Sequence, residues 1–209
     1  MISHKIIEIL STFSKDDIKR FREYLNSPFF NKSAKLNKLF FFFFEFYPEF
    51  NSKNLTEEKI FKKVNPGLNF NISTLRNLLF DLANAADDFL TVTNFCRRNI
   101  EKADFLRDEL FQRNLSKQLD SVIKKSVTIM NDVKNFDSAY YINKFKLTID
   151  ILNFNSMVIQ KMDRNSIENA IENLTENGKS ITQLFAKEIC RLYDNLNTHK
   201  TAYDINSEN

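Results

Sequence analysis

Glycine and proline are nearly missing from this sequence, which has only two glycines and three prolines in 209 residues. Average usage is about 7% for glycine and about 5% for proline. Strand-rich folds use both residues at many turns, whereas helices need few of them. The shortage therefore argues against β-rich architectures and predicts an all-α chain with short connections.

Metal-binding and nucleophilic side chains are also scarce. The two histidines, His4 and His199, lie at opposite ends of the chain, and the two cysteines, Cys96 and Cys190, are far apart. This inventory excludes the usual structural zinc patterns and a dense disulfide framework. Both cysteines fall at apolar positions of helical patterns, so we predict that they are buried small hydrophobic side chains in a reduced, cytoplasmic compartment.

Phosphate-binding loops are excluded as well, because Gly67 and Gly178 are the only glycines. An enzyme that uses only carboxylates stays formally open through the adjacent pairs 57–58 and 87–88. Neighbouring side chains on a helix diverge by about 100°, however, and such pairs are usually solvated. The sequence therefore predicts a protein that is not an enzyme and has no cofactor and no metal.

No hydrophobic run approaches the roughly 20 residues that a membrane span needs. The longest, residues 39–47, is interrupted by Glu45, and the N-terminal residues lack a cleavage site for a signal peptide. Thirty basic against 27 acidic side chains leave a charge of only +3. This predicts no membrane partner, and it lacks the concentrated positive charge typical of nucleic-acid binding.

Helical signals divide the chain into two parts and a tail. Residues 1–98 predict a bundle of about five helices, in which Ser14 and Asp17 form a capping box, proline ends the second and third helices, and Thr56 begins the fourth. Residues 99–197 predict stacked antiparallel helical hairpins, similar to a solenoid. A capping box at Asn165 and Glu168 and a stop at residues 177–178 would precede a last amphipathic helix. Residues 198–209 predict a frayed polar tail.

Five consecutive phenylalanines, residues 40–44, are the most unusual feature of the sequence. Five adjacent helical positions point around the whole circumference, so one face cannot hide all five rings. One interpretation makes the helix central, with every ring internal. The other leaves Phe42 and Phe46 on the surface to bind a partner or a second copy. The candidate partner-binding residues are the aromatic side chains outside the main stripe: Phe41, Phe42, Phe44 and Phe46.

A helix-turn-helix over residues 57–80 is the alternative, and it would make the protein a DNA-binding regulator. The second helix would present Thr74, Arg76 and Asn77 to base edges. Phosphate contacts would come from five basic side chains: Lys59, Lys62, Lys63, Arg97 and Arg98. The connection is longer than the usual turn of 3–4 residues, and buried leucines would leave little of that helix free for a groove.

Three motifs connect the sequence with a family: SPFFNK at residues 27–32, LTEEKIFKK at residues 55–63 and LRNLLFDL at residues 75–82. Residues 10–115 resemble the N-terminal part of uncharacterised all-helical proteins of Bacteroidetes and related bacteria. The resemblance implies a helical fold and a bacterial origin, but no activity. Family members are longer, so the chain would be a short member or a fragment. The turn in SPFFNK predicts that Phe29 and Phe30 pack against the ends of two helices, with a recognition loop as the alternative.

Taken together, these patterns predict a cytoplasmic, helical module that binds proteins or serves as a scaffold. The contact surface would be the aromatic side chains outside the stripe or the concave side of the hairpins. The partner would be another protein or a second copy of the chain, and no small molecule is implied.

Overall fold

The computed structural model describes residues 5–50, 55–158 and 164–202, and within these ranges the chain is all-α without strands. The predicted fold class is confirmed. Its helices are α1 (Lys5–Ser11), α2 (Lys15–Asn26), α3 (Ala34–Phe44), α4 (Glu57–Val64), α5 (Ile72–Arg97), α6 (Asn99–Gln112), α7 (Ser116–Asn131), α8 (Ser138–Val158) and α9 (Arg164–Ala202). They form two compact units, Met1–Arg97 and Arg98–Asn209.

The first unit is a bundle around α5, which contacts each of α1, α2, α3 and α4. Phe21 lies fully buried in its core, with its ring centroid 5.1 Å from Phe40, 5.2 Å from Phe89 and 5.6 Å from Phe13. These distances are typical of favourable aromatic pairs. One aromatic cluster therefore joins α2, α3, α5 and the segment after α1.

Polar side chains set the helix starts in this unit. The predicted capping box is present, since Ser14 Oγ accepts from the Asp17 amide while the Asp17 carboxylate accepts from the Ser14 amide. The Ser14 hydroxyl also donates to the Asp17 carboxylate at 2.7 Å, and this hydrogen bond, followed by that from the Ser14 amide, lowers the pKa of Asp17. Thr56 caps α4, and Asn71 accepts from the Thr74 amide at 2.9 Å to cap α5. Each cap satisfies an amide that has no partner within the helix.

The turn between α2 and α3 is held by Asn31. Its side-chain amide donates to the backbone carbonyls of Leu25, at 2.8 Å, and Ser33, at 3.2 Å, and its carbonyl accepts from the Ser33 amide at 2.8 Å. Phe30 stacks on Tyr24, with ring centroids 4.4 Å apart. Phe29 is 86% exposed, so only one of the two phenylalanines packs as predicted.

In the second unit each helix packs against the next, and residue pairs give the helix directions. Asp104 and Arg107 of α6 pair with Lys146 and Asp150 of α8 in the same order, so α6 and α8 are parallel. Ser138 and Lys144 of α8 pair with Glu188 and Glu176 of α9 in reverse order, so these two helices are antiparallel. The contacts fit the predicted hairpin arrangement.

A charged network lies between α6, α7 and α8. The Arg107 guanidinium, whose side chain is 3% exposed, donates to Asp150 at 2.5 Å, Ser126 at 2.9 Å and Asp104 at 3.0 Å. Lys146 also donates to Asp104, at 2.8 Å, and this hydrogen bond raises the pKa of the Lys146 ammonium. Burial raises the pKa of the Asp150 carboxyl, although the Arg107 hydrogen bond acts in the opposite direction. The two cations and two carboxylates balance in charge.

Three predicted boundaries in this region are wrong. The helix α9 continues through Asn177 and Gly178, because an isolated glycine lowers helix stability by only about 1 kcal/mol and is not followed by proline. Arg164 is already helical, so Asn165 lies inside α9 and does not precede it. The same helix extends to Ala202, into the segment that the sequence predicts as a tail, and residues 203–209 lie outside the described ranges.

The prediction of buried cysteines is also wrong, because Cys96 and Cys190 are both exposed. Cys96 lies in the last turns of α5, beyond Phe89, which is the last buried residue of that helix. Cys190 lies on α9, most of whose described side chains face solvent. Within the described ranges, none of the helices combines the length and the apolarity that a bilayer crossing requires.

Replacing Arg107 tests the charged network. We expect Arg107→Met to reduce the free energy of unfolding by about 3–5 kcal/mol, because it leaves the Asp104 and Asp150 carboxylates without their shared cation. Arg113→Met is the matched control, since Arg113 pairs with Glu109 on the surface of the same helix region. It should reduce stability by less than about 1 kcal/mol. Urea denaturation measures both variants, and equal losses would contradict the special role of Arg107.

Candidate functional site

The phenylalanine run divides into buried and exposed rings, and neither sequence interpretation is fully right. Phe40, Phe42 and Phe43 are buried, at 2%, 7% and 0% exposure, whereas Phe41 and Phe44 are 38% and 47% exposed. The expectation that Phe42 stays on the surface is therefore wrong, and so is the expectation that every ring is internal.

Phe42 is buried because α3 has several neighbouring helices. This helix contacts α2, α4 and α5, so its buried arc is wide enough to take Phe42 in addition to the main stripe. Phe46 is partly buried against the same core, and its ring lies 5.2 Å from that of Phe42. With about 100° between successive residues, Phe41 and Phe44 fall on the remaining arc.

The exposed rings line a groove between α2 and α3 in the first unit. The cavity has a volume of about 300 Å³. Its floor and one wall come from α3 and the turn behind it, and its other wall comes from α2. The lining residues are Lys15, Ile18, Lys19, Arg22, Phe40, Phe41, Phe44 and Tyr47.

The aromatic floor is held in place by internal contacts. The Tyr47 hydroxyl donates to the Phe13 carbonyl at 2.9 Å, which ties the end of the floor to the segment after α1. The Phe44 ring is stacked between Phe40 and Tyr47, with both centroid distances at 6.3 Å. A surface fixed in this way loses little side-chain freedom when a ligand binds.

The rim of the groove is cationic. Lys15, Lys19 and Arg22 follow the i, i+4, i+7 spacing that places them on one face of α2. Within the described residues, no carboxylate lies within ion-pair distance of these three side chains. Asp16 of α2 pairs instead with Arg20, at 3.0 Å. The rim therefore keeps its positive charge.

Arg22 connects the rim to the floor. Its guanidinium carbon lies 4.9 Å from the centroid of the Phe41 ring, within the range of a cation–π contact. This contact orients the guanidinium beside the apolar floor. Its hydrogen-bond donors are available to an anionic group that binds next to the rings.

The DNA-binding candidates are exposed but spread along the first unit. Lys59, Lys62 and Lys63 lie on α4, with Lys63 3.8 Å from Glu45. Thr74, Arg76 and Asn77 are exposed on the first turns of α5, where Leu75, Leu78 and Leu79 are buried in the core. The connection from α4 to α5, residues 65–71, is longer than a helix-turn-helix turn, with Gly67 at φ +84.

The remaining two basic candidates lie far from that helix start. Arg97 ends α5, and its backbone lies about 31 Å along the helix axis from Arg76 at 1.5 Å per residue. Arg98 precedes α6 and pairs with Glu101 at 3.5 Å. Arg98 begins the second unit, and the seven candidates of the first unit do not form one compact patch.

Catalytic and metal-binding groups are few in the described chain. Among residues 5–50, 55–158 and 164–202, no group of three or more His, Cys, Asp or Glu side chains could hold a metal ion. His4 lies outside these ranges. Among the described residues that line the groove, none has a carboxylate, an imidazole or a thiol, and the hydroxyl of Tyr47 already donates to the Phe13 carbonyl.

Comparisons with known proteins give no further information about the site. No family model, no curated protein and no solved structure matches the chain. The resemblance to helical proteins of Bacteroidetes thus stays a prediction.

Sequence reasoning found the aromatic half of the groove but missed its cationic half. A signal was present, because Lys15, Lys19 and Arg22 recur at helical spacing along one edge of the buried stripe of α2. Nothing in the sequence shows which face of α3 lies beside that stripe. The groove follows only from the packing of the two helices.

Adjacent phenylalanines provide a matched test of this assignment. We expect Phe43→Ala to reduce the free energy of unfolding by about 3–5 kcal/mol, because the ring is fully buried and its removal leaves a cavity. Phe44→Ala should reduce it by about 1 kcal/mol or less, because nearly half of that residue faces solvent. Chemical denaturation measures both variants. A larger loss from Phe44→Ala than from Phe43→Ala would contradict the assignment.

Proposed function

We propose that the chain is a protein-binding module that is not an enzyme, and that its first unit binds an acidic, amphipathic helical segment of another protein. The observation that carries this proposal is an aromatic groove whose rim has three cations that no carboxylate of the described residues pairs with. Apolar side chains of the segment would bind the floor, and its carboxylates would face the rim.

The floor is suited to apolar side chains. Phe41 and Phe44 leave 38% and 47% of their surface exposed, and burial of such rings is a large source of binding free energy. Phe40 and Phe44 lie one turn apart on α3, and Tyr47 extends the floor into the turn behind that helix, with 6.3 Å between successive ring centroids. A partner helix could place side chains at i and i+4 along this length.

The rim is suited to carboxylates. The basic side chains on α2 span about two turns, so carboxylates at helical spacing on the partner could pair with them. Arg22 has donors that match a carboxylate in two-point geometry. A single-stranded nucleic acid would also favour cations and rings, but the guanidinium of Arg22 already covers the Phe41 ring against which a base would stack.

One feature supports a cytoplasmic location. Cys96 and Cys190 are free and exposed, and exposed thiols persist most readily in a reducing compartment. The sequence resemblance adds the proposal of a bacterial origin.

A peptide selection tests the groove. The whole chain is used to select from a displayed random peptide library, and the same selection is repeated with Phe41→Ser/Phe44→Ser. We expect the first selection to enrich peptides with large apolar residues at i and i+4 flanked by Asp or Glu. The substituted chain should not enrich them, since both changed side chains belong to the floor.

Charge reversal on the rim provides the second measurement, by fluorescence anisotropy of a labelled enriched peptide. Lys15→Glu/Lys19→Glu should weaken its binding by about tenfold or more, because attraction becomes repulsion. Lys32→Glu/Lys35→Glu is the control, with the same charge change on exposed lysines of the first unit outside the groove. Enrichment of peptides without acidic residues, or equal enrichment by the substituted floor, would overturn the proposal.

DNA binding is the second candidate function, favoured by the exposed cluster of Lys59, Lys62 and Lys63 near the start of α5. It predicts that a labelled duplex binds at about 50 mM salt and that binding weakens by about 40-fold at about 200 mM salt if each of the three lysines neutralises one phosphate. Lys59→Glu/Lys62→Glu should then weaken binding more than Lys117→Glu/Lys125→Glu, which changes the same charge in the second unit. Anisotropy without any binding at low salt would exclude this function.

A further inference from the structure

The helix α9 packs on α8 with its polar face. Ser180 is its most buried described residue, at 3% exposure, and Glu188 accepts a hydrogen bond from Ser138. Lys187 donates to the Phe136 carbonyl at 2.7 Å, and Glu176 pairs with Lys144 at 3.6 Å. The predicted amphipathic helix is therefore present. Its contacts with α8 come from its polar side and not from its apolar side.

The apolar face of α9 points to solvent. Between residues 181 and 196, six large side chains are 42–66% exposed: Ile181, Phe185, Ile189, Leu192, Tyr193 and Leu196. Successive residues of a helix are rotated by about 100°. By this rotation the centre of the five residues other than Tyr193 lies about 130° from the centre of the face that packs on α8. We call these six residues the α9 stripe.

The α9 stripe is as large as the largest apolar patches that typical monomers expose. A large apolar or aromatic side chain offers about 150–250 Å², so six such side chains at these exposures present on the order of 600 Å². The largest apolar patch on a typical monomer is about 300–600 Å². A standard interface buries about 800 Å² on each partner. The stripe is thus large enough for the centre of an interface.

We propose that a second copy of this chain covers the α9 stripe, so that the protein is a homodimer through paired α9 helices. The five residues other than Tyr193 are separated by 4, 4, 3 and 4 residues. Position 192 therefore follows position 181 by 11 residues, and position 196 follows position 185 by 11 residues. An 11-residue repeat keeps an apolar face nearly straight along a helix, with only slight right-handed drift. Two identical stripes can therefore remain in contact over their full length.

Charge favours a second copy over a charged partner. The charged residues between 181 and 196 are Lys187, Glu188, Arg191 and Asp194, and all lie outside the stripe. Glu188 is the nearest, and it is held by Ser138 and by Arg191, at 2.7 Å. Two copies of the stripe can meet without placing like charges together, and the flanks provide no excess of either sign that would select an acidic or a basic partner.

The oligomeric state measured by light scattering after size exclusion tests the proposal. We expect a dimer at high micromolar concentration, and Ile189→Glu/Leu192→Glu should weaken dimerisation by at least about tenfold. Both side chains are half exposed, so the monomer fold should persist. Phe105→Glu/Leu106→Glu is the matched control on exposed apolar residues of α6 and should leave the dimer intact.

Crosslinking gives a readout that does not depend on introducing charge. Both native cysteines are first removed by Cys96→Ser and Cys190→Ser. A short bis-maleimide should then link two copies that carry Ile189→Cys. It should not link copies that carry Asp194→Cys, because residue 194 lies on the opposite side of α9. The proposal would be overturned if the wild-type chain is a monomer at high concentration. It would also be overturned if Ile189→Glu/Leu192→Glu and Phe105→Glu/Leu106→Glu leave the dimer equally intact. The groove peptide should still bind the Ile189→Glu/Leu192→Glu variant, so this test and that of the groove are independent.

Discussion

Successive residues of an α-helix point about 100° apart, and this rotation decides which apolar side chains of the protein can be buried. A helix hides only the arc that its neighbours cover. Three neighbours cover most of α3, so Phe40, Phe42 and Phe43 are buried while Phe41 and Phe44 are not. In α9 the covered arc is polar and the apolar arc is open. The two proposed binding surfaces are thus the parts of α3 and α9 that no neighbouring helix covers.

The two units obtain their internal order from different interactions. In the first, rings from α2, α3 and α5 meet around Phe21, and non-directional apolar burial dominates. In the second, Arg107 reaches Asp104, Ser126 and Asp150 through directed hydrogen bonds. Such a network adds little stability relative to apolar packing, but it defines which helices pair and in which register.

The sequence predicted the helices of the first unit well because their ends are marked by local chemistry. Ser14 with Asp17 and Thr56 act within one turn of the chain, whereas α3 ends at Phe44 and not at Tyr47, where Pro48 predicted its end. Gly178 misled the prediction, because a glycine ends a helix only when the packing allows it. The sequence could not predict three features: the groove, the Arg107 network and the outward-facing α9 stripe. Each of them depends on which helices are neighbours in the fold. Phe42 shows this most directly, because its burial follows from the number of neighbours of α3.

The Arg107 network ties the evolution of three helices together. Asp104 and Asp150 are tolerable inside the unit only while a guanidinium lies between them, and Arg107 is tolerable only while at least one carboxylate remains. A lineage that loses the arginine first leaves Asp150 without its cation and Asp104 with Lys146 alone, and one that loses both acids first leaves the buried Arg107 without a carboxylate. Drift at these positions must therefore proceed through compensated pairs, so residues 104, 107 and 150 should covary wherever related chains are compared.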